Sequence, residues 1–170
     1  MKHELQQKIL DILSNCVDMT IATVRPDGAP QATVVSFAHD GLFIYFGCGA
    51  GSQKAANLAR DPRISITVTP PYGNWMQIRG LSMSGTATEL SVPGEIAKVG
   101  QLMIDRFKAL SSVTVFDETS VKLFRVKPEI VSVLDYTLGF GHTDVVKIEA
   151  DDIAETLETM RHHWLLPAAH

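Results

Sequence analysis

The chain has 170 residues, of which 45% are hydrophobic and 20% charged, and its formal net charge is −4. This length suits one domain with a buried core, and the composition excludes a natively disordered chain. Because the charge is negative and the basic residues are dispersed, no surface is expected that could grip a polyanion, and we predict no nucleic acid partner.

The sequence carries no pattern typical of export or membrane insertion. Residues 1–8 are polar where a signal peptide would have its apolar stretch, and no run approaches the roughly 18 apolar residues of a membrane span. The two cysteines, Cys16 and Cys48, belong to no zinc-ligand pattern and are predicted to be reduced. We therefore expect a cytoplasmic protein with no membrane partner, formed by residues 1–170 as a single domain.

The first quarter of the chain predicts one helix and three strands. Apolar residues recur at helical spacing over residues 5–16, which indicates an amphipathic helix. Residues 20–24 and 31–35 have strand character and flank a turn, and a second turn leads into the apolar run 42–46. Since tight turns join only antiparallel neighbours, these strands form an antiparallel sheet.

The middle of the chain predicts a helix and two further strands. Residues 52–60 are helical in pattern and stop at Asp61, which precedes a proline. Apolar and polar residues then alternate over 64–69 and again over 81–88. Gly85 interrupts the second of these strands and predicts a bulge or a close approach of two backbones.

The last part predicts two helices around one more strand. Pro93 opens a helix, residues 121–135 return to strand character with a break at Pro128, and Asp151 lies in the first turn of a final helix. Six or seven antiparallel strands with few helices favour a closed barrel, because closure removes exposed strand edges. The predicted fold is mainly β (α+β), with flanking helices.

A glycine-rich segment, residues 47–54, is the most informative stretch of the sequence, and we call it the glycine loop. It follows a predicted strand and enters a helix, so its backbone can approach a ligand and the free N–H groups of the helix start can bind an anion. Ser52 and Lys54 add a hydroxyl and a positive charge. The loop thus predicts a phosphate site; the alternative is a plain connection in which Ser52 caps the helix.

The glycine loop does not match two common nucleotide-binding patterns. It lacks the spacing of a Walker loop, and its glycines do not form GxGxxG within a βαβ unit. These departures disfavour nucleotide hydrolases and Rossmann enzymes.

Several short segments occur in an order that identifies a family. They are Asp27-Gly28-Ala29-Pro30-Gln31, Asp40-Gly41-Leu42-Phe43, Ser52-Gln53-Lys54, Asn57-Leu58, Asp61-Pro62-Arg63-Ile64-Ser65, Gly85-Thr86-Ala87 and Phe124-Arg125-Val126-Lys127-Pro128. In this order the sequence resembles the pyridoxamine 5'-phosphate oxidase-like split-barrel family, whose members bind FMN. The resemblance implies an antiparallel split β-barrel of six to seven strands.

The resemblance also implies a set of cofactor-binding residues. Ser52, Gln53 and Lys54 would hold the FMN phosphate, and Phe46 and Gly47 would flank the ribityl chain. The strand from Gln31 to Ser36 would line the isoalloxazine ring through its backbone, and the residues implied there are Gln31, Thr33, Val34, Val35 and Ser36. In the family the flavin lies at a two-fold interface, so the resemblance implies a homodimer in which Gln77 and Arg79 of the second subunit complete the pocket.

The chain departs from the oxidase itself at both ends of the pocket. Gln31 and Ser36 stand where the oxidase has basic residues, and residues 165–170 contain no counterpart of its substrate-binding Arg and His. Pyridoxamine phosphate is therefore not expected as the substrate. The resemblance favours an FMN-dependent oxidoreductase acting on another small molecule, with NAD(P)H as an electron source and the catalytic residue unknown.

Three other functions are compatible with the same barrel. They are a flavin-binding stress protein with little turnover, a haem-binding or haem-utilisation protein, and a reductase that uses a deazaflavin. The haem hypothesis rests on residues 135–144, which resemble a stretch in haem-utilisation relatives of this barrel. Tyr136, Phe140 and His142 are there interpreted either as a turn with packing aromatics or as a wall of the ligand pocket, with His142 as a possible axial ligand.

Metal-dependent and hydrolytic chemistries are not favoured. The neighbouring His162 and His163 face different directions on a helix, and no other Cys, His or carboxylate set has metal-ligand spacing. A Ser-His-Asp hydrolase would need a nucleophile-elbow motif, which the sequence lacks. We predict no metal site.

Overall fold

A computed structural model describes residues 1–108 and 120–164, and within these the chain forms seven β-strands and four α-helices. The strands are β1 (Asp18–Val24), β2 (Pro30–Asp40), β3 (Phe43–Gly49), β4 (Arg63–Val68), β5 (Arg79–Glu89), β6 (Val121–Asp135) and β7 (Thr143–Lys147). The helices are α1 (His3–Ser14), α2 (Gln53–Arg60), α3 (Pro93–Arg106) and α4 (Ala150–Trp164). In this part of the chain, no helix combines the length and the apolar character needed to cross a bilayer.

The seven strands form one antiparallel sheet that closes on itself. Its order is β3-β2-β1-β4-β5-β6-β7, and an additional pairing of β3 with β6 closes strands β1 to β6 into a barrel. The first half of β6 lies between β3 and β5, whereas its second half lies between β5 and β7. The predicted mainly β split barrel with flanking helices is confirmed.

Side chains along each strand alternate between the two faces of the sheet, and those on the inner face fill the barrel interior. Phe46 of β3 and Phe124 of β6 are fully buried, and their rings stack with centroids 5.3 Å apart. Such a ring pair stabilises by about 0.5–1.5 kcal/mol beyond the apolar area it buries. Helix α1 adds Ile9 and Leu13 to the same core. The closing pair of strands is therefore also fixed by packing.

The backbones of β5 and β6 lie close together at Gly85. The register shifts between Ser84 and Gly85, and a Cβ added to Gly85 would overlap the carbonyl oxygen of Lys127. The predicted bulge and close approach are confirmed. The predicted break of β6 at Pro128 is wrong, because Pro128 pairs opposite Gly85 in the bulge, a place where a proline is tolerated in a strand.

Two other strand predictions differ from the structure. Strand β3 continues to Gly49 instead of ending at residue 46, because Gly47 and Gly49 pair with Leu123 and Val121 of β6. Strand β7 has no counterpart in the sequence-based prediction; only pairing with the second half of β6 defines this five-residue segment. In both cases a distant partner strand overrides weak local propensity.

We predict that Gly85→Ala lowers the free energy of unfolding by about 1–3 kcal/mol, because a new methyl group must displace backbone atoms of β6. Urea denaturation measures the change. Gly94→Ala is the matched control, since Gly94 lies on the exposed side of α3 with no described atom within 4 Å of its Cβ position, and it should leave stability unchanged or raise it. A Gly85→Ala protein as stable as the parent would contradict the close approach.

Candidate functional site

The glycine loop carries the chain from β3 into the first turn of α2. Ser52 precedes the helix with extended backbone (φ −75°, ψ 152°), and its hydroxyl oxygen accepts a hydrogen bond from the backbone N–H of Ala55 at 3.3 Å. The N–H groups of Gln53 and Lys54 have no acceptor among the described residues. The start of α2 therefore presents free donors at the positive end of the helix dipole.

Lys54 adds a positive charge to this helix start. Its side chain is half-buried and makes no ion pair or hydrogen bond with any residue in the described ranges. A cation that is partly removed from water and has no carboxylate beside it attracts an anionic ligand. The predicted phosphate site thus has both backbone donors and an available charge.

A cavity of about 870 Å³ opens beside the glycine loop. This volume lies in the range of pockets that hold small molecules or cofactors. The cavity brings together five of the residues predicted to bind the cofactor, which are Val34, Val35, Ser36, Gly47 and Lys54. Its other lining residues are Cys48, Gly49, Ala50, Glu89, Leu90, Ile96, Gly100, Met103, Phe107, Val121, Lys122 and Leu123.

Asn57 connects the glycine loop to strand β2. Its fully buried amide donates hydrogen bonds to Thr23 Oγ1 at 2.9 Å and Gln31 Oε1 at 3.1 Å, and its oxygen accepts one from Gln53 Nε2 at 2.9 Å. The predicted residues Gln31 and Gln53 are therefore held in one network. Sequence reasoning gave Asn57 no role, although an amide on the apolar face of a short helix beside Leu58 is a usable signal.

Five predicted residues, Gln31, Thr33, Phe46, Ser52 and Gln53, lie outside the cavity lining. Thr33 pairs with Ile21 of β1, Ser52 caps α2, and Gln31 and Gln53 belong to the Asn57 network. The ring of Phe46 is fully buried against Phe124, so only its backbone is available to a ligand.

Gln77 and Arg79 lie at a different place, which we call the second cleft. This cleft has a volume of about 550 Å³ and also contains Lys8, Asp135 and Thr137. Within a single chain these two residues are thus separated from the glycine loop. Their predicted role toward a partner's cofactor stays a prediction.

Asp135 is the buried charge of the second cleft. Burial opposes its ionisation, but hydrogen bonds from Thr137 and Lys8 and the nearby Arg79 keep the pKa of Asp135 below its usual value. Lys8 Nζ lies 3.2 Å from one carboxylate oxygen, and Arg79 Nε lies 3.5 Å from the other. The carboxylate therefore anchors α1 and β5 to the end of β6.

The segment after β6 forms an exposed turn. Tyr136 and Phe140 pack with ring centroids 5.0 Å apart, and Phe140 is 71% exposed. His142 Nε2 lies 3.2 Å from Asp144 Oδ2. None of these four residues lines the cavity beside the glycine loop or the second cleft. Among the described residues, no three His, Cys, Asp or Glu side chains are grouped so that they could hold a metal ion.

A six-stranded closed barrel with an extra strand defines a mainly β split-barrel protein. Residues 5–135 match the family model described as pyridoxamine 5'-phosphate oxidase. The chain belongs to this family.

The proteins that this chain resembles carry different functional names. General stress protein 26 of Bacillus subtilis is 32% identical over 65 residues, which cover 38% of this chain and 46% of that protein, so the match spans about half of the relative. The structure of a heme binding protein from Mycobacterium smegmatis superposes on this chain with a TM-score of 0.74. The match covers 91% of this chain and 62% of that one, and at 19% identity it shows a shared fold. An F420 reductase superposes with a TM-score of 0.60 at 26% identity, covering 72% and 94%.

We predict that Asn57→Ala lowers the free energy of unfolding by about 1–3 kcal/mol, because it leaves polar groups of Thr23 and Gln31 without their buried partner. Thermal and urea unfolding measure the loss. Gln53→Ala removes one exposed member of the same network and should cost less than half as much. Equal losses in the two variants would contradict the central position of Asn57.

Proposed function

We propose that the chain binds FMN beside the glycine loop and acts as an FMN-dependent oxidoreductase on a small molecule. The observation that carries the proposal is that Lys54 and the N–H groups at the start of α2 have no partner among the described residues and lie at the edge of a cavity of about 870 Å³. Membership in the pyridoxamine 5'-phosphate oxidase family supports the same reading.

The residues present fit the cofactor. A phosphate near Lys54 and the N–H groups of Gln53 and Lys54 would receive hydrogen bonds from donors that no other described residue uses. No described atom lies within 4 Å of the Cβ positions of Gly49 and Gly51. The flavin supplies the redox chemistry when bound, and the protein's part is to bind and orient it. Val34, Val35 and Ser36 would lie along the ring, with the Ser36 hydroxyl held by a 2.6 Å hydrogen bond to Asp18.

The cavity contains few groups that could move a proton. Its ionisable side chains are Lys54, Cys48 and the ion pair of Glu89 with Lys122, whose atoms are 2.8 Å apart. The chain's contribution is therefore binding and orientation, and no side chain is assigned as an acid or base. We propose NAD(P)H as the electron source.

FMN binding is tested by titrating the purified protein and following the visible flavin absorption. We expect Lys54→Ala to weaken FMN binding by roughly tenfold or more, since a hydrogen bond to a charged group contributes about 1.5–3 kcal/mol. Lys127→Ala removes an exposed lysine that lies outside the cavity and should leave binding unchanged. FMN binding that is equal in both variants would remove the glycine loop from the site.

Turnover is measured separately, as NAD(P)H oxidation by the FMN-loaded protein. Tight FMN binding without NAD(P)H oxidation would favour a flavin-binding stress protein.

Haem is the second candidate ligand. His142 lies beside Asp144 and follows the exposed Leu138 and Phe140, so an imidazole and apolar surface occur together. A neutral imidazole can serve as an axial ligand, and the Mycobacterium smegmatis relative is a heme binding protein. If haemin produces a Soret band that is lost in His142→Ala, and the protein does not bind FMN, the haem proposal replaces the flavin proposal.

A deazaflavin is a further alternative. Binding of F420 instead of FMN would favour a deazaflavin reductase, as in the related F420 reductase.

We further propose that two copies of the chain form a homodimer through the outer face of the sheet. One row of residues paired across six strands shares this face, namely Val34, Thr20, Thr67, Ser82, Ser132 and Val145. These side chains are uncharged, and Val34 and Val145 are 68% and 69% exposed. We call this row of six residues the neutral face. Loss of charge at the centre of a surface patch is typical of interfaces.

The dimer is tested by placing a charge in the neutral face. We expect Thr67→Arg to shift the mass measured by sedimentation from dimer to monomer, because a buried charge without a partner is costly. Thr88→Arg is the matched control. Thr88 lies near the end of β5, away from Ser82 of the neutral face, and this variant should remain dimeric. If the partner's Gln77 and Arg79 complete the flavin site, the monomeric variant also loses FMN affinity; a parent protein that sediments as a monomer would overturn the dimer.

A further inference from the structure

The cavity beside the glycine loop extends well past the residues that a phosphate and a flavin ring would use. Its far half lies between α3 and the first residues of β6, and we call it the α3 compartment. The side chains and glycine that form it are Leu90, Ile96, Gly100, Met103, Phe107 and Leu123. Ile96, Gly100 and Met103 follow one face of α3 at helical spacing, and Phe107 is the residue that ends this helix.

Glycines keep the α3 compartment open on both sides. Gly100 lies in the interior of α3, where glycine is the least favourable residue other than proline, and no described atom lies within 4 Å of its Cβ position. Gly49, on the opposite wall, is equally open. By contrast, a Cβ on Gly47 would lie 3.2 Å from Leu123, so a side chain already fills the space over that glycine. Among the described residues, no side chain occupies the room at Gly49 and Gly100.

The lining of the α3 compartment is matched to an uncharged group. Glu89 and Lys122 lie at its edge and are paired with each other at 2.8 Å, and Lys54 lies at the glycine-loop end of the cavity. The remaining lining is apolar, and Met103 adds a side chain that adapts to different shapes. Leu90 and Met103 are buried in the core beneath α3, whereas Ile96, Phe107 and Leu123 are only partly buried, so a ligand there would remove the remaining apolar surface of these three side chains from water.

We propose that the α3 compartment binds the substrate through an uncharged apolar ring or chain, next to a flavin held at the glycine loop. The proposal rests on the proposed function, and it names the substrate class as neutral apolar or aromatic molecules. The glycine loop selects the anionic cofactor, and the α3 compartment selects the substrate. The two halves of the cavity thus have different walls and different chemistry.

The test is calorimetric titration of the FMN-loaded protein, and of the protein as purified, with 1-naphthol at neutral pH. We expect binding with a negative heat-capacity change, which is the mark of apolar burial. Gly100→Leu should weaken 1-naphthol binding at least tenfold without changing FMN affinity, while Gly94→Leu, on the same helix but exposed, should change neither. Ile96→Gln should weaken 1-naphthol binding in the same direction, and thermal unfolding verifies that each variant is folded.

The outcomes separate this inference from the proposed function. No binding of 1-naphthol by the parent protein, or equal binding by the folded Gly100→Leu variant, overturns the α3 compartment. Competition between FMN and 1-naphthol for one site also overturns it, since the cavity would then hold a single ligand. Binding of 1-naphthol that depends on Gly100 in a protein that does not bind FMN would keep the compartment and reject the flavin.

Discussion

The pairing of β3 with β6 is the constraint on which the rest of the structure depends. It joins residues 44–49 to residues 121–126 and turns an open sheet into a barrel. It also holds Gly47, Cys48 and Gly49 as extended strand, although two of the three are glycines with low strand propensity. Because the glycine loop starts from a strand that is fixed on this side, the beginning of α2 is delivered to one defined place at the cavity edge.

Asn57 fixes the same region from the other side. Its amide is shared by Thr23 of β1, Gln31 of β2 and Gln53 of α2, so a single buried side chain sets the distance between the helix start and two strands. A buried amide is stabilising only when its donors and acceptors are satisfied, which makes this geometry specific. The candidate site is thus positioned by a backbone ladder and by one side-chain network, and its ligand-facing groups are left free.

The parts of the fold that could be predicted are those with a strong local signal. Periodicity predicted α1, β1, β4 and α3, and the interruption of the alternating pattern of β5 by Gly85 predicted the bulge. The errors fell where a distant strand decides the outcome: β3 runs to Gly49, Pro128 sits inside β6, and β7 exists because β6 offers it an edge.

For the site, residue type and order brought together Val34, Val35, Ser36, Gly47 and Lys54. They could not reveal Asn57 as a network centre or the apolar wall of α3, since both depend on how α2 and α3 lie against the barrel. Local chemistry was thus readable from the sequence, whereas the arrangement of elements around it was not.

The closure of the barrel by β6 has a consequence for how the chain folds. The contacts that close the barrel join residues 72 to 82 positions apart, from Gly49 with Val121 to Ile44 with Val126, so a long stretch of chain must lose its freedom before those contacts can form. Strands β1, β2 and β3 are neighbours in sequence as well as in space and need no such search. Barrel closure is therefore expected to be the slow step of folding, and the glycine loop and its cavity would reach their final geometry only when that step is complete.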